Sequence, residues 1–153
     1  MIGILKTEIK NIDRDYFAID NLNKLTYTTT NNALFCNDVH PNFPLYVNTT
    51  MLQRISAHSF SGILITDELN LAQDLLHITY AKKKFLYLYN LDWMYIQHPH
   101  FTFFKTILLN DNIELIARTQ RQFSMIQNLF KTPKYIMPEW DYKTLIKIDQ
   151  NEQ

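Results

Sequence analysis

With 153 residues, 46% of them hydrophobic and 20% charged, the chain has the apolar material for one ordinary domain with a real core and lacks the composition of a disordered segment. Fifteen basic residues balance fifteen acidic ones, which disfavours a broad nucleic-acid surface and leaves room only for a local basic patch. One cysteine, Cys36, excludes an internal disulfide and a cysteine-cluster zinc site, and two glycines exclude both the G-x-G-x-x-G and the P-loop spacings.

Ile2 to Leu5 is a short apolar run that ends at Lys6 and reads as a first strand. Ile19, Leu22 and Leu25 then recur at helical spacing, and the polar stretch from Thr26 to Asn32 reads as a loop. Ala33 to Cys36 is a second buried strand, followed by a long connection in which Pro41 and Pro44 oppose regular structure. Thr49 or Thr50 is expected to cap a helix carrying Met51, Leu52 and Ile55. Gly62 to Asp67 is the clearest strand, and Asn70 is expected to open a helix with Leu71, Leu75 and Ile78 on one face. Lys82, Lys83 and Lys84 lead into a strand from Phe85 to Tyr89.

Pro99 suits the first turn of a helix whose face is Phe101, Phe104 and Leu108, ending at Asn110-Asp111-Asn112. Ile113 to Ala117 is another strand. Thr119 and Gln122 have the spacing of a capping box ahead of Phe123, Ile126, Leu129 and Phe130, and Pro133 closes that unit. Tyr135 to Met137 is a sixth strand, and Asp141 is expected to cap a last helix through Leu145 and Ile148. Strands that are continuous apolar runs are buried on both faces. The expected architecture is therefore α/β: a doubly wound, mostly parallel sheet in a single Rossmann-like three-layer domain spanning residues 1–153.

No window reaches the roughly 18 to 20 apolar residues of a membrane span. The start, MIGILKTEIKN, turns charged too early for a secretory signal. A chain in a reducing cytoplasm is the expectation, with the sequon Asn48-Thr49-Thr50 unused.

In a sheet of this kind ligands gather beyond the carboxyl ends of the strands. Those ends present Asn37, Asp38, Asp67, Glu68, Asn90, Asp92 and Arg118. Asp92 suits a base or a ligand contact with Trp93 stacking on the ligand (a sugar, under the resemblance given below), against the alternative of a polar turn with Trp93 in the core. Asp67 and Glu68 suit either a metal or the cap of the next helix. Asp38 beside His40 is either a base pair or a hydrogen-bonded loop. Arg118 and Arg121 bracket a helix start, where an anion would find side-chain and backbone donors together, or else they form ion pairs. The three lysines at 82–84 either steer a phosphate or form a solvated edge, and Glu139 either contacts a ligand or sits beside the Asp141 cap. His98 and His100 flank Pro99 without a third metal ligand, and Cys36 reads as a small buried side chain. No metal site is identified.

The pieces SGILITDELNLAQDLL, KKKFLYLYNLDWM, IELIARTQRQFSMIQNLF and YIMPEWDYKTLIKI, spanning roughly Ser61 to Ile148, resemble glycosyltransferase-like proteins of large tailed bacteriophages. The lysine-led strand ending in Asn-Leu-Asp-Trp is the most specific of them. The resemblance implies one Rossmann-like half of a two-domain glycosyltransferase. The nucleotide-sugar donor belongs chiefly to the other half, which is expected to be missing here. It implies a noncatalytic or partner-dependent subunit, associating with copies of itself or with another phage protein, in the infected cytoplasm or on the virion. Under the enzymatic alternative, a nucleotide-sugar donor is used and Asp92 is the first choice of catalytic base, followed by Asp38 and Asp67. Asn90, Trp93, Arg118 and Arg121 are then the ligand or anion contacts.

Overall fold

The computed structural model describes residues 1–28, 32–96 and 100–152. Its strands are β1 (Ile2–Leu5), β2 (Ala33–Phe35), β3 (Thr50–Leu52), β4 (Ile63–Thr66), β5 (Lys83–Leu88), β6 (Glu114–Ala117) and β7 (Tyr135–Ile136). The α-helices are α1 (Asp13–Thr26), α2 (Ala72–His77), α3 (His100–Leu108), α4 (Gln120–Leu129) and α5 (Tyr142–Asn151). The strands form one sheet in the order β3-β2-β1-β4-β5-β6-β7, and each pairing is parallel. From β1 the chain winds outward through β2 and β3. It then returns to β4 and winds the other way. The arrangement is an α/β domain consistent with a Rossmann-like three-layer fold.

Strand alternation explains why the runs are apolar throughout. Ile2, Ile4, Ile63, Ile65, Phe85 and Tyr87 pack with Ile19, Leu22 and Leu25 of α1 and Leu145 and Ile148 of α5. Leu5, Phe35, Leu64, Leu86 and Leu115 face the other way, onto Leu71, Leu75, Ile107 and Ile126 from the α2, α3 and α4 side. Each fully buried side chain of this kind contributes about 1.5–3 kcal/mol. Two of the expected caps are formed, the Thr119 hydroxyl accepting from Gln122 N at 3.2 Å and Asp141 Oδ2 from Thr144 N at 2.9 Å, whereas Glu68, which precedes the next helical turn, makes no side-chain cap.

Both glycines serve packing. A Cβ on Gly3 would lie 2.9 Å from the Phe60 ring and 2.7 Å from that of Phe35. One on Gly62 would lie 2.6 Å from Phe60 and 2.7 Å from the Met1 carbonyl. Phe60 thus lies against Gly3 in β1 and Gly62 just ahead of β4, two positions that have no side chain.

The helix expected from a Thr49 or Thr50 cap does not form. Thr50–Leu52 is instead β3, a seventh strand in parallel register with β2, Met51 beside Leu34 and Leu52 beside Phe35. A 3-10 helix, Arg54–Ser59, follows it. The reason is tertiary: β2 offers a free edge, Cys36 N donates to Leu52 O at 3.0 Å, and the Thr49 hydroxyl is committed to the Asn32 carbonyl at 2.6 Å. The helix expected from Asn70 is also altered. Leu69–Leu71 is a 3-10 turn ahead of α2, and Ile78 is already extended. His98 and Pro99 lie outside the described residues, as does the centre of the loop expected from Thr26 to Asn32.

Candidate functional site

The winding reverses between β1 and β4, so the loops leaving their carboxyl ends diverge and open a crevice. Lys6 leaves β1 and Asp67 leaves β4. Lys6 is 0% exposed, with Nζ 2.6 Å from Asp15 Oδ1 and 2.6 Å from Asp67 Oδ1. Arg14 Nε lies 3.3 Å from Asp67 Oδ2 and 3.7 Å from Asp15 Oδ1, and the Lys10 backbone N donates to Asp15 Oδ2 at 2.8 Å. Two cations and two carboxylates therefore cancel inside the fold. Burying one ammonium alone would cost several kcal/mol, and here its two partners and the Trp140 ring, 5.8 Å away, offset that cost.

A second clasp lies on the solvent side of this cluster. Thr7 N donates to Glu68 Oε1 at 3.1 Å, the Thr7 hydroxyl to Glu68 Oε2 at 2.5 Å, and the Asn70 amide to the Thr7 hydroxyl at 3.3 Å. It ties the end of β1 to the end of β4. Above it is a crevice of about 300 Å3 lined by Thr7, Lys10, Arg14, Asp67, Glu68, Leu69, Asn70 and Asp92. Two residues singled out in the sequence, Asp67 and Asp92, thus share one cleft although they follow different strands. Asp67 is buried and ion-paired, whereas Asp92 is exposed in the 3-10 turn Asp92–Tyr95.

The other candidates lie elsewhere. Asp38 is exposed in the turn after β2, where its Oδ1 accepts from Val39 N at 2.8 Å and its carbonyl accepts from Ile9 N at 2.9 Å. Asn90 is exposed at the end of β5. Trp93 is 3% exposed and meets Phe130 edge-on at 5.3 Å, so its ring is covered within the core. Arg121 is exposed in the first turn of α4. Cys36 is buried, and burial with the nearby Asp38 charge pushes its thiol up to about 11.

Arg118 is paired. Its guanidinium donates to Glu139 and lies 4.3 Å from the centre of the Tyr89 ring, while Tyr89 donates its hydroxyl to the same carboxylate. Burial works to raise the Glu139 carboxyl, but the hydrogen bonds from Tyr89 and Arg118 outweigh it and hold the group below its ordinary value. Burial and the bond to Glu139 push the Tyr89 phenol up. Glu139 and Trp140 have φ of 46° and 58°, left-handed values that non-glycine residues rarely adopt. This cluster closes the carboxyl ends of β5, β6 and β7.

Lys6, Arg14 and Asp15 were not legible as site residues. A lysine after an apolar strand looks like an exit to solvent, and the partners that make it a buried hub lie 9 and 61 positions away. Chemically, the crevice offers the Asp92 and Glu68 carboxylates beside the Lys10 and Arg14 cations, a mixture that matches hydroxyl and amide groups better than an anion. Among the described residues, no group of three or more His, Cys, Asp and Glu side chains is gathered as a metal shell, and no helix is long and apolar enough to cross a membrane. Comparison with family models, with curated proteins and with solved structures found no match for the chain.

Proposed function

We propose that the chain is a noncatalytic, partner-dependent binding or assembly subunit. Its scaffold would be a single Rossmann-like, doubly wound three-layer domain akin to one half of the glycosyltransferase-like proteins of large tailed bacteriophages. The observation that carries this reading is the Lys6–Asp15–Asp67–Arg14 cluster. In nucleotide-binding sheets of this order, phosphates rest at the end of β1 against the amino terminus of the first helix. Here the first turn of α1 carries Asp13 and Asp15, and Lys6 and Arg14 are already neutralised by the chain's own carboxylates. An incoming diphosphate would find the cations of the cluster already neutralised and the crevice's Lys10 paired with Glu8 at 3.2 Å. The protein then acts by presenting surface to another protein, in the infected cytoplasm or on the virion.

Titrating the purified chain with a panel of nucleotide sugars in a calorimeter tests this. No saturable heat and no transfer to an acceptor are expected. Donor-dependent transfer that Asp92→Asn abolishes in a folded variant would overturn it.

One observation favours a second reading, the acceptor-binding part of a split glycosyltransferase: Asp67 and Asp92 line one crevice. In that role Asp92 takes the proton of the acceptor hydroxyl, Asp67 is held by Lys6 as support, and a nucleotide-sugar donor is carried by another chain. Oligosaccharide binding without donor, weakened by Asp92→Asn, would distinguish it from the first.

A further inference from the structure

The two edges of the sheet are unlike. β7 has two residues between Pro133 and Pro138, and beside it Lys134 is pinned to Glu152 at 2.6 Å, features that close an edge to further strands. β3 lacks them. Its strand residues are all exposed, and from Thr49 to Gln53 there is no charge and no proline. The Leu52 carbonyl accepts from Cys36 N on the β2 side, so strand alternation turns the Met51 N–H and C=O outward. Apolar side chains are exposed on both faces of this edge. Met51, in register with Leu34 on the α1 face, is 54% exposed, and Leu52, in register with Phe35 on the opposite face, is 39% exposed. Ile55, just beyond the strand, is 69% exposed.

We propose that β3 pairs with β3 of a second copy of this chain, antiparallel about a two-fold axis centred on Met51, making one continuous sheet of two copies. Two observations select a second copy as the occupant, and the resulting geometry is consistent with it. The blunted β7 edge bars a head-to-tail β3–β7 contact, so association by sheet extension must use the same edge twice and close as a dimer. The strand is uncharged in a chain with fifteen residues of each sign, so two copies meet without like-charge repulsion. The register also complements itself: Met51 meets Met51 of the other copy with mutual N–H to C=O bonds, Thr50 meets Leu52, and the α1 faces stay on one side. Those two hydrogen bonds are few, so the exposed Met51, Leu52 and Ile55 side chains supply most of the contact. The inference is independent of the functional reading above.

The whole chain in light scattering coupled to size exclusion should run at twice its 18.3 kDa mass. Met51→Lys places two ammoniums on the axis and should give a folded monomer. Met51→Cys should form an intermolecular disulfide under mild oxidation, because directly opposed hydrogen-bonded residues lie about 5.5 Å apart at Cα, within disulfide reach. Thr50→Cys, whose opposite neighbour is Leu52, should not. A wild-type monomer at every concentration, a folded Met51→Lys dimer, or equal crosslinking at positions 50 and 51 would each overturn the proposal. The cysteine pair decides the matter even if the lysine variant fails to fold.

Discussion

Lys6 and Asp67, 61 positions apart in the chain, meet at 2.6 Å at the point where the sheet changes its direction of winding. Asp15 completes the contact from the first turn of α1, and Arg14 balances the charge. The cluster holds β1, β4 and the first helix in one geometry beneath the crevice.

Removing one member leaves buried charge unpaired. Lys6→Met should lower unfolding free energy by about 3–5 kcal/mol, read as a fall in the urea midpoint at unchanged slope. Lys6→Met combined with Asp67→Leu leaves Arg14 facing Asp15 and should recover a large part of that loss. If the two substitutions simply add, the residues are not coupled as the geometry requires.

Phe60 and the two glycines provide a second test. Gly3→Ala and Gly62→Ala should each cost about 1–3 kcal/mol through overpacking, against the Phe35 and Phe60 rings at the first and against Phe60 and the Met1 carbonyl at the second. Phe60→Leu should ease each substitution only in part, because a Cβ at Gly3 still meets the buried Phe35 ring at 2.7 Å and one at Gly62 still meets the Met1 carbonyl at 2.7 Å. Thermal melts of the single and double variants measure the difference.

The left-handed backbone at Glu139 predicts an inverted preference. Glu139→Ala and Glu139→Gly both lose the carboxylate that holds Arg118 and Tyr89, so their comparison isolates the backbone. Glycine should be the more stable of the two by about 1 kcal/mol, the reverse of the order on an ordinary helix. Chemical denaturation of the pair checks it.

Acid should weaken the fold through Glu152 and Glu139. Burial favours the neutral form of Glu152, but Lys134 at 2.6 Å and the Tyr135 hydroxyl at 2.9 Å outweigh it and hold the carboxyl below its ordinary value. A carboxyl lowered in the folded state contributes stability that is present above its unfolded value and lost as pH falls through the folded one. Stability should therefore decline from the ordinary glutamate range downward. Glu152→Gln should lower stability at neutral pH and flatten part of that decline, measured as melting temperature against pH.

The two designed-looking helix starts offer a local comparison. Thr119→Ala should cost about 1 kcal/mol, and Asp141→Ala at least as much, because Asp141 accepts from both the backbone N and the hydroxyl of Thr144. Helix content and melting temperature report both.

Six strands, two capped helices and the parallel order expected of Gly62, Phe85 and Ile113 were legible because their causes are local. Continuous apolar runs need burial on both faces, and Thr119 and Asp141 satisfy amides only three residues away. Asp67 and Asp92 could be named as strand-end acids for the same reason. Their common crevice could not, since it depends on which strands become neighbours. β3 stayed hidden because Thr-Met-Leu has no decisive preference of its own and became a strand only when β2 offered an open edge. Lys6 was hidden more deeply. Its charge reads locally as solvent exposure, and only the folded chain brings the carboxylates from positions 15 and 67 that make burial tolerable. Local chemistry thus determined the elements, whereas the pairing of distant charges and edges, which carries the cost of desolvation and chain closure, was decided by the tertiary structure.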